Sequence, residues 1–105
     1  MAKKMKMAFY SDPGHGWLRV SRQKMLLLPP ETAREISTCS YQTPSGQTFY
    51  LEEDCDAAVF IKWAMQNGFK IEFNEVSVNG HSSIRENPHF KFRELHPGFP
   101  EKAAT

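Results

Sequence analysis

A chain of 105 residues, 40% apolar and 12% aromatic, is the size of one domain with a modest, ring-rich core. No run approaches the ~18 consecutive apolar residues of a membrane span, and the basic N-terminus lacks the long apolar stretch of a secretion signal. The net charge of +1 argues against a generally basic nucleic-acid binder, and two cysteines, Cys39 and Cys55, are too few for a disulfide scaffold. A cytoplasmic protein with no membrane partner is expected.

In chain order, residues 6–10 read as a first strand and Trp17 to Val20 as a second. The intervening Ser11-Asp12-Pro13-Gly14-His15-Gly16 is dense in turn chemistry, with Asp12 as a local acceptor and the glycines open to positive φ. Ser21 caps a short helix that ends at Pro29-Pro30, and Pro30 opens a second helical turn. Residues 39–41 and 47–51 form two more strands across the Thr43-Pro44-Ser45-Gly46 turn. After Asp56, Val59, Phe60, Trp63 and Ala64 make one apolar helical stripe, capped by Asp54 or Asp56 and stopped by Asn67-Gly68. Residues 70–78 alternate as a strand with a bulge near Asn74-Glu75, and a last short strand falls at 89–93. The order β-β-α-β-β-α-β predicts an α+β fold: a small, mostly antiparallel sheet with a principal helix on one face. Residues 1–95 form the single domain and 96–105 a flexible tail. Trp17 and Trp63 are expected in one core with Leu18 or Val20, Tyr50 or Leu51, Phe60, Ile71 and Phe73.

Two short words carry what is unusual. Asp12-Pro13-Gly14-His15-Gly16-Trp17-Leu18-Arg19-Val20 places a lone imidazole on a rigid loop, and Tyr50-Leu51-Glu52-Glu53-Asp54-Cys55-Asp56 crowds four carboxylates around a thiol. The carboxylates have the oxygen chemistry of a hard-cation site. Alternate strand residues point to opposite faces, however, and capping needs only one oxygen, so the capping role is preferred. His15 with Cys55 and Asp56 has the residue types of a thiol hydrolase. The neighbours that mark known cysteine nucleophiles are missing, and a loop histidine facing a partner is the plainer role. Zinc through Cys39, Cys55, His15, His81, His89 and His96 lacks any usual ligand spacing. No catalytic residue, metal or cofactor is assigned.

Charge is segregated along the chain. Residues 1–25 carry Lys3, Lys4, Lys6, Arg19, Arg22 and Lys24 against Asp12 alone; residues 31–56 carry Glu31, Glu35, Glu52, Glu53, Asp54 and Asp56 against Arg34 alone. Such asymmetry marks either a binding face or two elements that attract each other within the fold, and the second is slightly favoured.

These words, with Ile36-Ser37-Thr38-Cys39-Ser40-Tyr41 between them, resemble a group of small proteins encoded by phages, prophages and plasmids, over about residues 8–68. The chain departs from the pattern at Leu28-Pro29-Pro30 and at Cys39, where a tyrosine is expected. The resemblance implies a mobile-element setting and no mechanism. The resulting expectation is a non-enzymatic accessory protein that binds and modulates or inhibits a host protein, such as a defence complex (CRISPR among them) or a nuclease. Asp12, His15, Trp17, Arg19, Glu52, Glu53, Asp54 and Asp56 are its candidate binding residues. The alternatives are a nucleic-acid-binding module using the basic N-terminal strands with Trp17, and a small metal- or Cys/His-dependent hydrolase.

Overall fold

The computed structural model describes residues 3–77 and 83–99. Five strands form one sheet in the order β3-β4-β2-β1-β5: β1 Lys3–Ser11, β2 Gly16–Ser21, β3 Tyr41–Gln42, β4 Thr48–Glu52 and β5 Phe69–Ser77. The neighbours β1/β2, β2/β4 and β3/β4 are antiparallel, whereas β1 and β5 run parallel. The sheet is therefore mixed and mostly antiparallel, in a small α+β fold. The parallel pair follows from connectivity. Helix α3 (Ala57–Gln66) carries the chain from β4 back across the sheet to the far edge, the crossover that parallel strands require.

The sheet's two faces follow from pairing and the period of two. Met5, Met7, Leu18, Val20, Phe49 and Leu51 share one face, and all six lie in a single core cluster with Phe60 and Ala64 of α3. Short helices α1 (Arg22–Met25), α2 (Pro30–Ala33) and α4 (Phe92–Leu95) close the same side with Met25, Leu28, Ala33, Phe92 and Leu95. The opposite face carries Lys4, Lys6, Tyr10, Trp17, Arg19, Tyr50, Glu52 and Tyr41 by register.

Several local expectations change. Trp17 is only 2% exposed but belongs to that opposite face, outside the main cluster, whereas Trp63 is half-buried against the cluster and Phe73 is 48% exposed at its edge. The two tryptophans therefore do not share a core. β5 runs in unbroken register with β1 from Lys3↔Phe69 to Ser11↔Ser77, so no bulge interrupts it, and Val78 lies outside the described residues. In place of a strand at 89–93, His89 makes one bridge to Tyr41, and α4 follows. Phe90 packs edge-on to Phe49 with ring centres 5.8 Å apart, which ties the C-terminal segment into the core. In the expected tail, His96 contacts the rings of Phe92 and Phe99; residues 100–105 lie outside the described residues.

Positive φ occurs at Gly46 in the predicted turn and at Gly68 after α3, not at Gly14 or Gly16. Gly16 is needed for space instead: a Cβ there would lie 2.7 Å from the Phe9 ring and 2.9 Å from Glu53 Oε2. No described helix is long and apolar enough to cross a membrane.

Candidate binding cleft

The loop between β1 and β2 is built by Asp12. Its Oδ1 accepts from Gly14 N at 3.0 Å and His15 N at 2.9 Å, while Asp12 N donates to His15 O at 2.8 Å. On the neighbouring strand, Glu53 N donates to Gly16 O at 3.0 Å, which draws the second word against the first. The two words meet in space. Between them opens a cleft of about 350 Å³. His15, Trp17 and Glu52 line it from the sheet, Asp54 and Cys55 from the turn after β4, and Cys39, Tyr41, Arg85 and His89 complete the lining.

Each wall is held by identifiable contacts. His15 Nδ1 lies 3.7 Å from Glu52 Oε1, and its ring centre lies 6.1 Å from that of Trp17. Glu52 Oε2 accepts from Asp54 N at 3.0 Å, which bends the chain out of β4. His89 stacks on Tyr41 at 4.9 Å; its Nδ1 donates to Thr38 O at 2.5 Å, which fixes the tautomer with the proton on Nδ1. Arg85, from a 3₁₀ turn at Ser83–Glu86, spans the top with its guanidinium 5.3 Å from the Trp17 ring centre and ion-pairs with Asp12 at 3.0 Å.

Two groups of the site are shifted in pKa. Burial acts to raise the Asp12 carboxyl, but hydrogen bonds from the His15 and Gly14 amides and from Arg85 outweigh it and hold it below the usual carboxylate range. The Cys55 thiol is pushed up, first by burial, then by the charges of Glu52, Cys39 and Asp56, and by its hydrogen bond to Glu52. A thiol held protonated is the reverse of an activated nucleophile.

The candidate residues therefore divide. His15, Trp17, Glu52 and Asp54 line the cleft, whereas Asp12 stands behind it as the turn and Arg85 anchor. Arg19 lies on the open sheet face away from the cleft, and Glu53 turns toward Gly16 on the other side of the strand. Asp56 is structural. It is 2% exposed, makes no side-chain cap bond to α3, and accepts instead from Ser37 N (3.0 Å), Ser37 Oγ (2.8 Å) and Ser40 Oγ (2.5 Å). The expected helix cap is thus a buried clamp on residues 37–40, and that clamp positions Cys39 and Tyr41 on the cleft wall. Asp54, the other proposed cap, sits on the cleft lip.

Tyr41 and Arg85 carry no sequence signal as site residues, and His89 enters the sequence reading only as a zinc ligand without the usual spacing; strand pairing and a returning C-terminal segment bring all three in from far along the chain. Among the described residues no three His, Cys, Asp or Glu groups converge as metal ligands. Comparison with known proteins adds no assignment: no family model matches the chain, and no similar curated protein or solved structure is found.

Proposed function

We propose that the protein is a non-enzymatic recognition module, in the manner of a mobile-element accessory protein, that modulates or inhibits a host protein by holding one of its basic side chains in the cleft. The observation that carries this reading is the convergence of the two words on one concave, ring-walled site. Among the described residues Arg85 is the one guanidinium lining the cleft, and it is already committed to Asp12, which leaves Glu52 with His15 and Asp54 facing the opening. A cation entering between His15, Tyr41 and His89 meets ring faces and carboxylates together, while Arg85 already occupies the Trp17 ring; that combination makes a few anchoring residues dominate an interface. The protonated Cys55 thiol supports binding over thiol catalysis.

The test is site-specific photo-crosslinking in host lysate, with the reactive group at position 15 or, as a control, at Gln66 on exposed α3. The expected result is one host adduct from position 15, none from position 66, and loss of the adduct on adding Asp54→Lys and Glu52→Lys. Equal adducts from both positions would overturn the reading. So would turnover of a substrate by the purified protein that Cys55→Ser abolishes.

A further inference from the structure

The sheet face opposite the helices holds a second surface that meets the cleft at Tyr41 and extends away from it. Register places Arg19, Tyr50 and Tyr41 side by side across β2, β4 and β3. Tyr10 of β1 joins them, its ring centre 6.1 Å from that of Tyr50 with the planes 30° apart. The Tyr10 and Tyr50 rings are half-buried; helices α1 to α4 pack their buried residues into the cluster on the other side, and the 3₁₀ turn at Ser83–Glu86 reaches this face through Arg85 over Trp17. Beside this row lies a hollow of about 220 Å³ lined by Lys6, Ala8, Arg19, Ser21, Lys24 and Thr48. On this face Lys4 pairs with Glu72 at 3.7 Å, and at its cleft end Arg85 pairs with Asp12 at 3.0 Å. No described carboxylate lies within ion-pair distance of Lys6, Arg19 or Lys24. The charge segregation along the chain is thus not cancelled inside the fold. It survives as a cationic margin on an aromatic platform.

We propose that this face binds single-stranded nucleic acid, with bases stacked on Tyr10 and Tyr50 and the phosphate backbone running along Lys6, Arg19 and Lys24. The two rings lie together across β2, and ring faces accept any base. A duplex keeps its bases inside the stack and offers the tyrosines nothing. Trp17 is not part of this platform, since Arg85 covers its ring. The acidic cleft adjoins the two tyrosines, since Trp17 pairs with Tyr10 and Tyr41 with Tyr50, and by repelling phosphate it fixes the end at which the strand stops. The surface stands independently of the cleft's protein partner.

The test is fluorescence anisotropy with a labelled oligothymidine of about ten nucleotides, within the site sizes usual for such platforms. Binding is expected at low salt and should weaken steeply as salt rises, with Arg19→Gln and Lys6→Gln each reducing the log–log salt slope by about 0.7. Tyr50→Leu should lower affinity by about tenfold at unchanged slope, and Tyr50→Phe should restore it, which separates stacking from folding. Lys62→Gln on the opposite side should change nothing. Absence of binding at low salt, equal affinity for duplex of the same sequence, or wild-type affinity in the Tyr10→Leu/Tyr50→Leu double variant would each overturn the proposal. None of these results depends on whether position 15 captures a host protein.

Discussion

The Arg85 guanidinium lies over Trp17, 5.3 Å from the ring centre, and its Nη2 reaches both oxygens of Asp12 at 3.1 and 3.0 Å. One side chain thereby fastens the C-terminal 3₁₀ turn to the β1–β2 loop and roofs the indole from solvent. Arg85→Ala should uncover Trp17 and shift its fluorescence to the red. Arg85→Lys should restore the emission only in part, because an ammonium lacks the planar fork that meets ring and carboxylate together. Since the folded-state pKa of Asp12 lies below its ordinary 3.8, this contact contributes fully above the ordinary value and is lost as pH falls through the folded one. The wild-type emission should therefore move in acid below the usual carboxylate range, and Asp12→Asn should lack that step. An acid titration followed at the tryptophan band checks both.

The Cys55 thiol offers a second test. Its raised pKa has burial as the first cause and the hydrogen bond to Glu52 among the others, so at neutral pH it should alkylate slowly although it is exposed. Glu52→Gln removes the carboxylate charge and should speed modification several-fold, with exposed Cys39 as internal reference. Mass-spectrometric mapping after timed iodoacetamide treatment gives the two rates. A Cys55 that outpaces Cys39 in the wild-type protein would mean an activated thiol and would reopen the hydrolase alternative.

Much of the fold was legible because it rests on local signals. The stripe at residues 59–64, the Ser21 cap, the Pro30 helix start and the Gly46 turn all act over a few residues, and each stands where the pattern placed it, whereas the helix expected to run to Pro29-Pro30 ends at Met25. The two words could be singled out by composition, but their meeting depends on β2 pairing with β4, which no local pattern encodes. Trp17 shows the limit most clearly. Its alternation with Leu18 tells which neighbours lie on the other face, not which face receives the helices. Asp56 was legible as a residue at a helix start, yet the serines at 37 and 40 claim its carboxylate from a distant loop.

That clamp predicts a sharp contrast between neighbouring acids. Asp56→Ala leaves Ser37 N without its acceptor and Ser40 Oγ, itself the acceptor for Glu52 N at 3.0 Å, without its anchor. A buried group stripped of its partner is costly, so the loss should be about 3 kcal/mol of unfolding free energy. Asp54→Ala, at an exposed lip, should stay within about 0.5 kcal/mol. Urea denaturation of the two variants measures the difference. The Asp56 variant should also loosen the Tyr41 wall, detectable as weaker protection of the amides at 39–42 in hydrogen exchange.

The helix stripe orders the aromatic residues of the core. Phe60 is fully buried among Leu18, Val20, Leu51 and Ala64, with no solvent side into which the structure can relax. Phe60→Ala should therefore cost about 4 kcal/mol, a large fraction of the stability of so small a domain. Trp63 lies at the margin, its ring 6.0 Å from Phe69 and half open to solvent, and its truncation removes less from the interior. Trp63→Ala should cost about 2 kcal/mol, because part of the exposed surface is gained back as water fills the site. Denaturation midpoints should rank wild type, Trp63→Ala and Phe60→Ala in that descending order. The reverse order of the two variants would place the indole, rather than the phenyl ring, at the contact that holds α3 to the sheet.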